Sequence, residues 1–448
     1  MQYYSLQQQS LNVDFKTAAI TGQAPDKGLY FPAEIPQLSA ATIQRFKIAS
    51  KGELAFEVMR PYVGGTIDDA TLLQICTETI NFNFPLVPIT DNIWSLELFH
   101  GPTLAFKDVG ARFMSRCLGY FSKGTNATTT VLVATSGDTG GAVANGFLGV
   151  EGVNVIILYP KGKVSPIQEL QLTTCGQNIT ALEVEGTFDD CQAIVKEAFM
   201  DADLNKKYTL TSANSINVAR WLPQQLYYFF AWQQWVANYG DDVPMNIVVP
   251  SGNFGNICAG MMAKASGLPL GHFIAACNAN DVVTRYLATE KYEVRQSVAT
   301  VSNAMDVGNP SNFVRIMEIM QSNFSALTNA LTSYQVSDTD TKATIARVYK
   351  TFNYILDPHG AVAFIAAEKY LATLNHPPKL GLDATKNNEV HRAIILETAH
   401  PVKFPEVVEE AIGEQLQIPA SVKFLLDKEK VSIPLAPSYK AFKAWMMQ

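Results

Sequence analysis

Through the middle of the chain, apolar positions fall in short β-branched runs that alternate with longer segments of helical spacing. Val131–Thr135 is such a run, ended by Gly137, with a helix predicted over Gly140–Leu148 and the next strand over Val153–Leu158. Ser165 and Pro166 read as the N-cap and first residue of a helix to Cys175, stopped by Gly176. Ile179–Val184 is a third strand. Phe188–Leu204 is a helix whose Asp189 and Asp190 suit the positive end of its dipole. Tyr208–Thr211 is a fourth strand. The alternation resumes with strand Met245–Val249, helix Ile257–Ala265, strand Phe273–Cys277, helix Gly360–Leu371 and strand His391–Leu396. Repeated strand–helix–strand units require right-handed crossovers and parallel pairing. The expected fold is α/β, with two open, mostly parallel sheets carrying helices on both faces.

Boundaries are expected near residue 95 and at a long helix, Val218–Asn238. They give an N-terminal segment 1–95, a smaller α/β domain 96–217 with the Ser136–Thr139 loop, and a larger α/β domain 218–448 with the Gly252–Asn256 loop. The first hundred residues are less regular, and Asn375–Asn388, rich in Pro, Gly and Asn, reads as an exposed loop. Leu226–Val236 is the most apolar stretch, but Gln233 and Gln234 break it, so it reads as a buried amphipathic helix and not a membrane span. The polar N-terminus has neither the basic start nor the apolar run of a signal peptide.

Composition narrows the class. Apolar residues make up 48% of the 448 and charged residues 17%, which excludes a disordered chain. The net charge of −7 disfavours nucleic acid, whose binding needs Lys and Arg against phosphates. Cys76, Cys117, Cys175, Cys191, Cys258 and Cys277 form no C-x-x-C pair and read as reduced core thiols of a cytosolic protein, with no metal site. Monomer and homodimer are equally compatible with this pattern.

Candidate chemistry lies at strand ends. Ser251-Gly252-Asn253-Phe254-Gly255-Asn256 joins a strand to a helix, where Gly admits a ligand close to the backbone and helix N–H groups favour an anion such as phosphate. It is neither a P-loop nor a dinucleotide fingerprint. Thr135-Ser136-Gly137-Asp138-Thr139-Gly140 sits at a similar junction and has hydroxyls and N–H groups suited to a carboxylate. Phe99-His100-Gly101-Pro102-Thr103-Leu104-Ala105-Phe106-Lys107-Asp108 places one lysine in an apolar run. Burial lowers such an amine's pKa and makes it a Schiff-base nucleophile. Thr211-Ser212-Ala213-Asn214-Ser215-Ile216-Asn217 runs into a helix bearing Arg220, a donor set for a second oxyanion. Leu396-Glu397-Thr398-Ala399-His400-Pro401 ends a late strand in a polar cluster. Taken singly, each segment is also compatible with a capped turn or a solvent-reaching lysine.

Taken in order, these segments resemble the threonine synthase family, pyridoxal-phosphate enzymes of the tryptophan-synthase-β fold group (fold type II). The bacterial and fungal branch is the nearer one, with further matches at Asp26-Lys27-Gly28-Leu29-Tyr30-Phe31-Pro32, Asn309-Pro310-Ser311-Asn312-Phe313 and Asp357-Pro358-His359-Gly360-Ala361-Val362. The resemblance implies that Lys107 carries pyridoxal 5′-phosphate as a Schiff base. It implies that Gly252, Asn253, Phe254, Gly255 and Asn256 cradle the cofactor phosphate, and that Thr398 meets the pyridine nitrogen. Thr135, Ser136 and Thr139, with Asp138, match the substrate-carboxylate loop. Many relatives across the fold group have Asn at the position of Asp138, contacting the cofactor 3′-oxygen, whereas an ionised Asp there repels phenolate and carboxylate alike. Asn214, Ser215 and Arg220 match binders of the substrate phosphate in plant-type relatives. The implied activity is conversion of O-phospho-L-homoserine and water to L-threonine and phosphate. A threonine or serine dehydratase of the same fold needs no second phosphate site, a catalytically inactive relative needs no lysine, and an unrelated nucleotide-binding protein would carry a fingerprint loop.

Overall fold

The computed structural model describes residues 1–124, 128–375 and 390–448. A five-stranded, wholly parallel sheet runs in spatial order Ile433–Leu435, Ile179–Val184, Val153–Pro160, Thr129–Ala134, Thr209–Ser212. A six-stranded sheet runs Leu331–Gln335, Phe273–Cys277, Asn246–Pro250, Ala393–Glu397, Ile93–Glu97, Leu86–Pro88, parallel except for the last pair. Every residue of Asn246–Pro250, Phe273–Cys277 and Ala393–Glu397 is buried, as expected of parallel strands covered on both faces. The α/β expectation with two mostly parallel sheets is therefore met.

One continuous core joins the sheets. Val131, Val133, Val155 and Ile157 of the smaller sheet and Ile247 and Val249 of the larger pack with helices Lys107–Ser122, Leu226–Tyr239 and Gly255–Ala265. The outer face of the larger sheet packs on helix Pro358–Asn375. The outer face of the smaller sheet packs on helices Phe188–Met200 and Tyr439–Met447. In parallel sheets with covered faces, ligands bind beyond the carboxyl ends of the strands. The loops after Ala134, Ser212, Pro250 and Glu397 occupy those ends.

Several elements differ from expectation. The helix expected over Phe188–Leu204 is two, Phe188–Met200 and Ala202–Lys207, because the Asp201 carboxylate accepts from the backbone N–H groups of Asp203 and Leu204 and restarts the chain. The long helix from Val218 is interrupted by a 3-10 turn, Leu222–Gln225, at Pro223, which lacks an N–H. Beyond it, residues 226–232 are all buried, so the first two turns of helix Leu226–Tyr239 are covered on every side, while Gln233 and Gln234 are half-buried and Ala237 and Asn238 exposed. The first hundred residues hold a three-stranded antiparallel sheet (Val13–Asp14, Gln2–Ser5, Tyr30–Pro32) and helices Lys51–Val63 and Asp69–Thr79. The loop expected at Asn375–Asn388 lies, past the helix end at Asn375, outside the described residues. All six cysteines are free. No described helix is long and apolar enough to cross a membrane.

Candidate active site

Lys107 opens helix Lys107–Ser122, and the segment before it runs beside the end of strand Ala393–Glu397. Phe106 N–H donates to the Thr398 carbonyl (2.8 Å) and His400 N–H to the Leu104 carbonyl (3.0 Å), with a β-bridge between Ala105 and Ala399. This pairing joins Lys107 and Thr398, which lie far apart in sequence. Asp108, buried, accepts from Thr103 N–H (2.9 Å) and Thr103 Oγ1 (2.5 Å) and closes the turn. Burial lowers the Lys107 pKa. Asp138 opposes that shift, while Lys403 and Arg220 add to it. The amine therefore reaches its neutral, nucleophilic form more readily than a surface lysine.

The Ser251–Asn256 loop leads into helix Gly255–Ala265. A Cβ at Gly252 would stand 2.5 Å from Met305 Cα, so only Gly fits there. Phe254 adopts a left-handed φ of 59° and is held by its ring against Phe313. The Asn253 side-chain oxygen accepts from Ser311 N–H (2.7 Å) and Oγ (2.6 Å), and its amide donates to Ser215 Oγ (3.1 Å). The Asn256 carbonyl and Oδ1 both accept from the Tyr228 hydroxyl, and its buried Nδ2 has no partner among the described residues. That orphan donor, beside the free N–H groups of a helix start, demands an acceptor such as phosphate.

The loop after Ala134 is shaped by Thr135, whose Oγ1 accepts from the N–H groups of Gly137 (3.0 Å) and Gly140 (2.8 Å). Gly137 has φ 135°, and a Cβ there would stand 2.4 Å from the Gln168 side chain. Ser136 and Thr139 are partly exposed on the same turn. Asp138 Oδ1 accepts from Gln168 Nε2 (2.8 Å) and forms an ion pair with Lys403 Nζ (2.7 Å). Burial alone would raise this carboxyl, but Lys403 and Lys107 outweigh it and hold it far below the usual range.

After Ser212, the capping role falls to Asn217, whose Oδ1 accepts from Ala219 N–H (2.9 Å). Asn214 and Ser215 are partly exposed. Ser215 Oγ accepts from Asn253 and from Asn312 Nδ2 (2.9 Å), which stations it against the Gly252–Asn256 loop. Arg220 is buried, and its Nε and Nη1 have no partner among the described residues. It lies against Gly110, one turn into the Lys107 helix, where a Cβ would stand 2.5 Å from the Arg220 carbonyl. Burial brings its guanidinium down to about 10. Tyr227 and Asp108 offset part of the cost of burying this cation, but neither pairs with it directly, and an anionic ligand relieves the remainder.

Two residues of this region were not expected from the sequence. Arg315, fully buried, donates to the carbonyls of Tyr30, Ser215 and Ile216 and to Asn312 Oδ1, and its guanidinium lies 4.3 Å from the Trp221 ring centre. Lys403 is equally buried. Its signal was present, since Pro401-Val402-Lys403-Phe404-Pro405 is a lone lysine in an apolar run, as at Lys107. His400 Nδ1 accepts from Val402 N–H (3.2 Å) and caps the turn carrying Lys403. Burial and nearby His100 lower its pKa to about 4, so it stays a neutral acceptor.

These groups fit pyridoxal phosphate: an amine with lowered pKa, an orphan amide at a helix start, a hydroxyl at a strand end, and a second unpaired cation for another anion. Comparisons with known proteins agree. The family model described as pyridoxal-phosphate dependent enzyme matches residues 83–380, the threonine synthase N terminus model residues 2–80, and the threonine synthase C-terminal model residues 380–446. The chain is 42% identical to a threonine synthase of Haemophilus influenzae, over 94% of each chain. The crystal structure of threonine synthase from Escherichia coli superposes with TM-score 0.89 at 37% identity, covering 100% of this chain and 99% of that one. A pyridoxal-phosphate-bound threonine synthase from Brucella melitensis superposes with TM-score 0.89 at 35% identity, covering 100% and 98%.

Proposed function

Because the chain belongs to the threonine synthase family of pyridoxal-phosphate enzymes, we propose that it converts O-phospho-L-homoserine and water to L-threonine and phosphate. One observation carries the choice of substrate: Arg220, buried and unpaired beside the Lys107 helix, is a second anion site, and a dehydratase needs none.

Lys107 carries the cofactor. The Gly252–Asn256 loop, with the Asn256 amide and the helix N–H groups, holds the cofactor phosphate. Thr398 offers its hydroxyl to the ring nitrogen, and Asp138 stands in the same cleft. Thr135, Ser136 and Thr139 take the substrate carboxylate. Asn214, Ser215 and Arg220 take its phosphate, with Ser215 also bracing the cofactor loop. When bound, pyridoxal phosphate supplies an electron sink for charge developing on the substrate carbons.

The Lys107 amine, whose pKa is lowered by burial, takes the Cα proton and then a Cβ proton of the bound substrate. Arg220 stabilises the phosphate as it leaves Cγ. Water adds at Cβ, and protons returned to Cγ and Cα complete threonine. A hydroxyl at Thr398, unlike a carboxylate, leaves the ring nitrogen less firmly protonated, so the neighbouring donors must steer which carbon is activated. Five buried free cysteines of the six fit a reducing cytosol.

The test is a product assay. The pyridoxal-phosphate-loaded protein, given O-phospho-L-homoserine, should release phosphate and threonine in equal amounts. Absence of phosphate release, or deamination of threonine in its place, would overturn the assignment.

A further inference from the structure

Asp138 and Lys403 form the one buried ion pair that links the two sheets at the cleft among the described residues. Asp138 opens helix Asp138–Phe147, which follows strand Thr129–Ala134 of the smaller sheet, and Lys403 ends the 3-10 turn Pro401–Lys403, which follows strand Ala393–Glu397 of the larger. Their side chains are 5% and 0% exposed, and Nζ to Oδ1 is 2.7 Å. Lys403 also donates to the Thr103 carbonyl (2.8 Å), in the segment leading to Lys107. Gln168 donates to the same Asp138 oxygen and Gln171 to the same Thr103 carbonyl (3.1 Å).

We propose that Lys403 is a positioning residue of the cofactor site: it is the counter-charge that permits a carboxylate at 138, and through that pair it holds the loop of the smaller sheet against the larger one. A carboxylate at 138 without its partner would face an anionic cofactor and an anionic substrate across a cleft where both are expected to bind. Paired, its charge is cancelled within hydrogen-bond distance, and the remaining field at Lys107 is set by a balance. The groups acting on Lys107 are the Asp138 carboxylate and the cations Lys403 and Arg220; Tyr227 and Asp108 act on Arg220, Asp108 in turn faces Lys403 and Arg112, and His400 is neutral beside Lys403. His400, by capping the turn Pro401–Lys403, fixes where the ammonium stands.

This assignment rests on the cofactor site proposed above, and the test separates the two. Apo protein is titrated with pyridoxal phosphate by visible absorbance, and the bound chromophore is then titrated with acid and base. Lys403→Met should weaken cofactor binding roughly tenfold or more and raise the pH midpoint of the chromophore by about one unit or more, because an uncompensated Asp138 carboxylate favours the protonated form. Asp138→Asn together with Lys403→Met removes both charges and should restore affinity to within about fivefold of the parent, since an amide needs no counter-ion. Lys403→Arg, which keeps the charge, should fall closer to the parent than Lys403→Met. If Lys403→Met does not fold, a folded, cofactor-binding double variant still supports the pairing, and failure of both to fold overturns it. A double variant no better than Lys403→Met, or a Lys403→Met protein matching the parent, also overturns it. A parent protein that takes up no coloured cofactor would instead refute the cofactor site itself.

Discussion

Replacing Arg220 by Met separates a residue kept for its ligand from one kept for the fold. In the apo protein the Arg220 Nε and Nη1 are buried and unpartnered among the described residues. Each orphaned donor carries a desolvation penalty of about 1–3 kcal/mol. Met keeps a similar unbranched stem and removes both donors, so the apo protein should unfold in urea within about 1 kcal/mol of the parent, or above it. The same change removes one or two charge-assisted hydrogen bonds to the substrate phosphate, each about 1.5–3 kcal/mol. A loss near 3 kcal/mol lowers kcat/KM for O-phospho-L-homoserine by about 100-fold. Pyridoxal-phosphate affinity should stay within about threefold of the parent, because the cofactor phosphate is assigned to the Gly252–Asn256 loop. Destabilisation beyond about 2 kcal/mol, or cofactor affinity falling in step with kcat/KM, would mean that Arg220 is structural.

Arg315 should behave in the opposite way. Its guanidinium satisfies four acceptors on three segments, so Arg315→Met should destabilise by about 3 kcal/mol or more in a urea melt and weaken cofactor binding through the Ser215–Asn253 contact, whereas a variant as stable as the parent would contradict this. Glu397 predicts a pH effect. Burial and then the neighbouring Asp357 push its carboxyl well above its ordinary 4.5, so the folded state binds this proton more tightly than the unfolded chain. Its contribution is complete below pH 4.5 and is lost as pH rises toward the folded pKa. Glu397→Gln, which carries no proton to lose, should flatten that decline in urea midpoints, and an unchanged or steeper slope would contradict the assignment.

The parts of the molecule legible in its sequence are those whose physics is local. The apolar runs at Ile179–Val184 and Phe273–Cys277 mark strands because both faces are buried, and the observed bounds match. Ser165 and Pro166 start their helix as expected, with the Gln168 side-chain oxygen accepting from Ser165 N–H (3.1 Å). The Gly252–Asn256 loop is readable because glycine and a helix start suffice to describe it. Strand Leu331–Gln335 was missed because it is an edge, mostly half-buried and carrying no β-branched run. Ile433–Leu435 was missed because its pairing with Leu182–Val184 joins distant parts of the chain. For the same reason the partners of Asp138 were hidden. The residue type at 138 posed an electrostatic problem in the sequence, and its solution, Lys403, lies on the other sheet. Ser215 likewise gains its place from Asn253, Asn312 and Arg315, which no spacing rule connects to it.

The central claim is that Lys107 is the amine that carries pyridoxal phosphate in this cleft. The purified protein is loaded with pyridoxal phosphate, its visible spectrum recorded, the complex reduced with borohydride and the modified peptide mapped. The expected result is a coloured protein that bleaches on reduction and bears one adduct on Lys107, with Lys107→Ala giving neither the visible band nor the adduct. A colourless complex, or an adduct on Lys403 or any other lysine in place of Lys107, would contradict it.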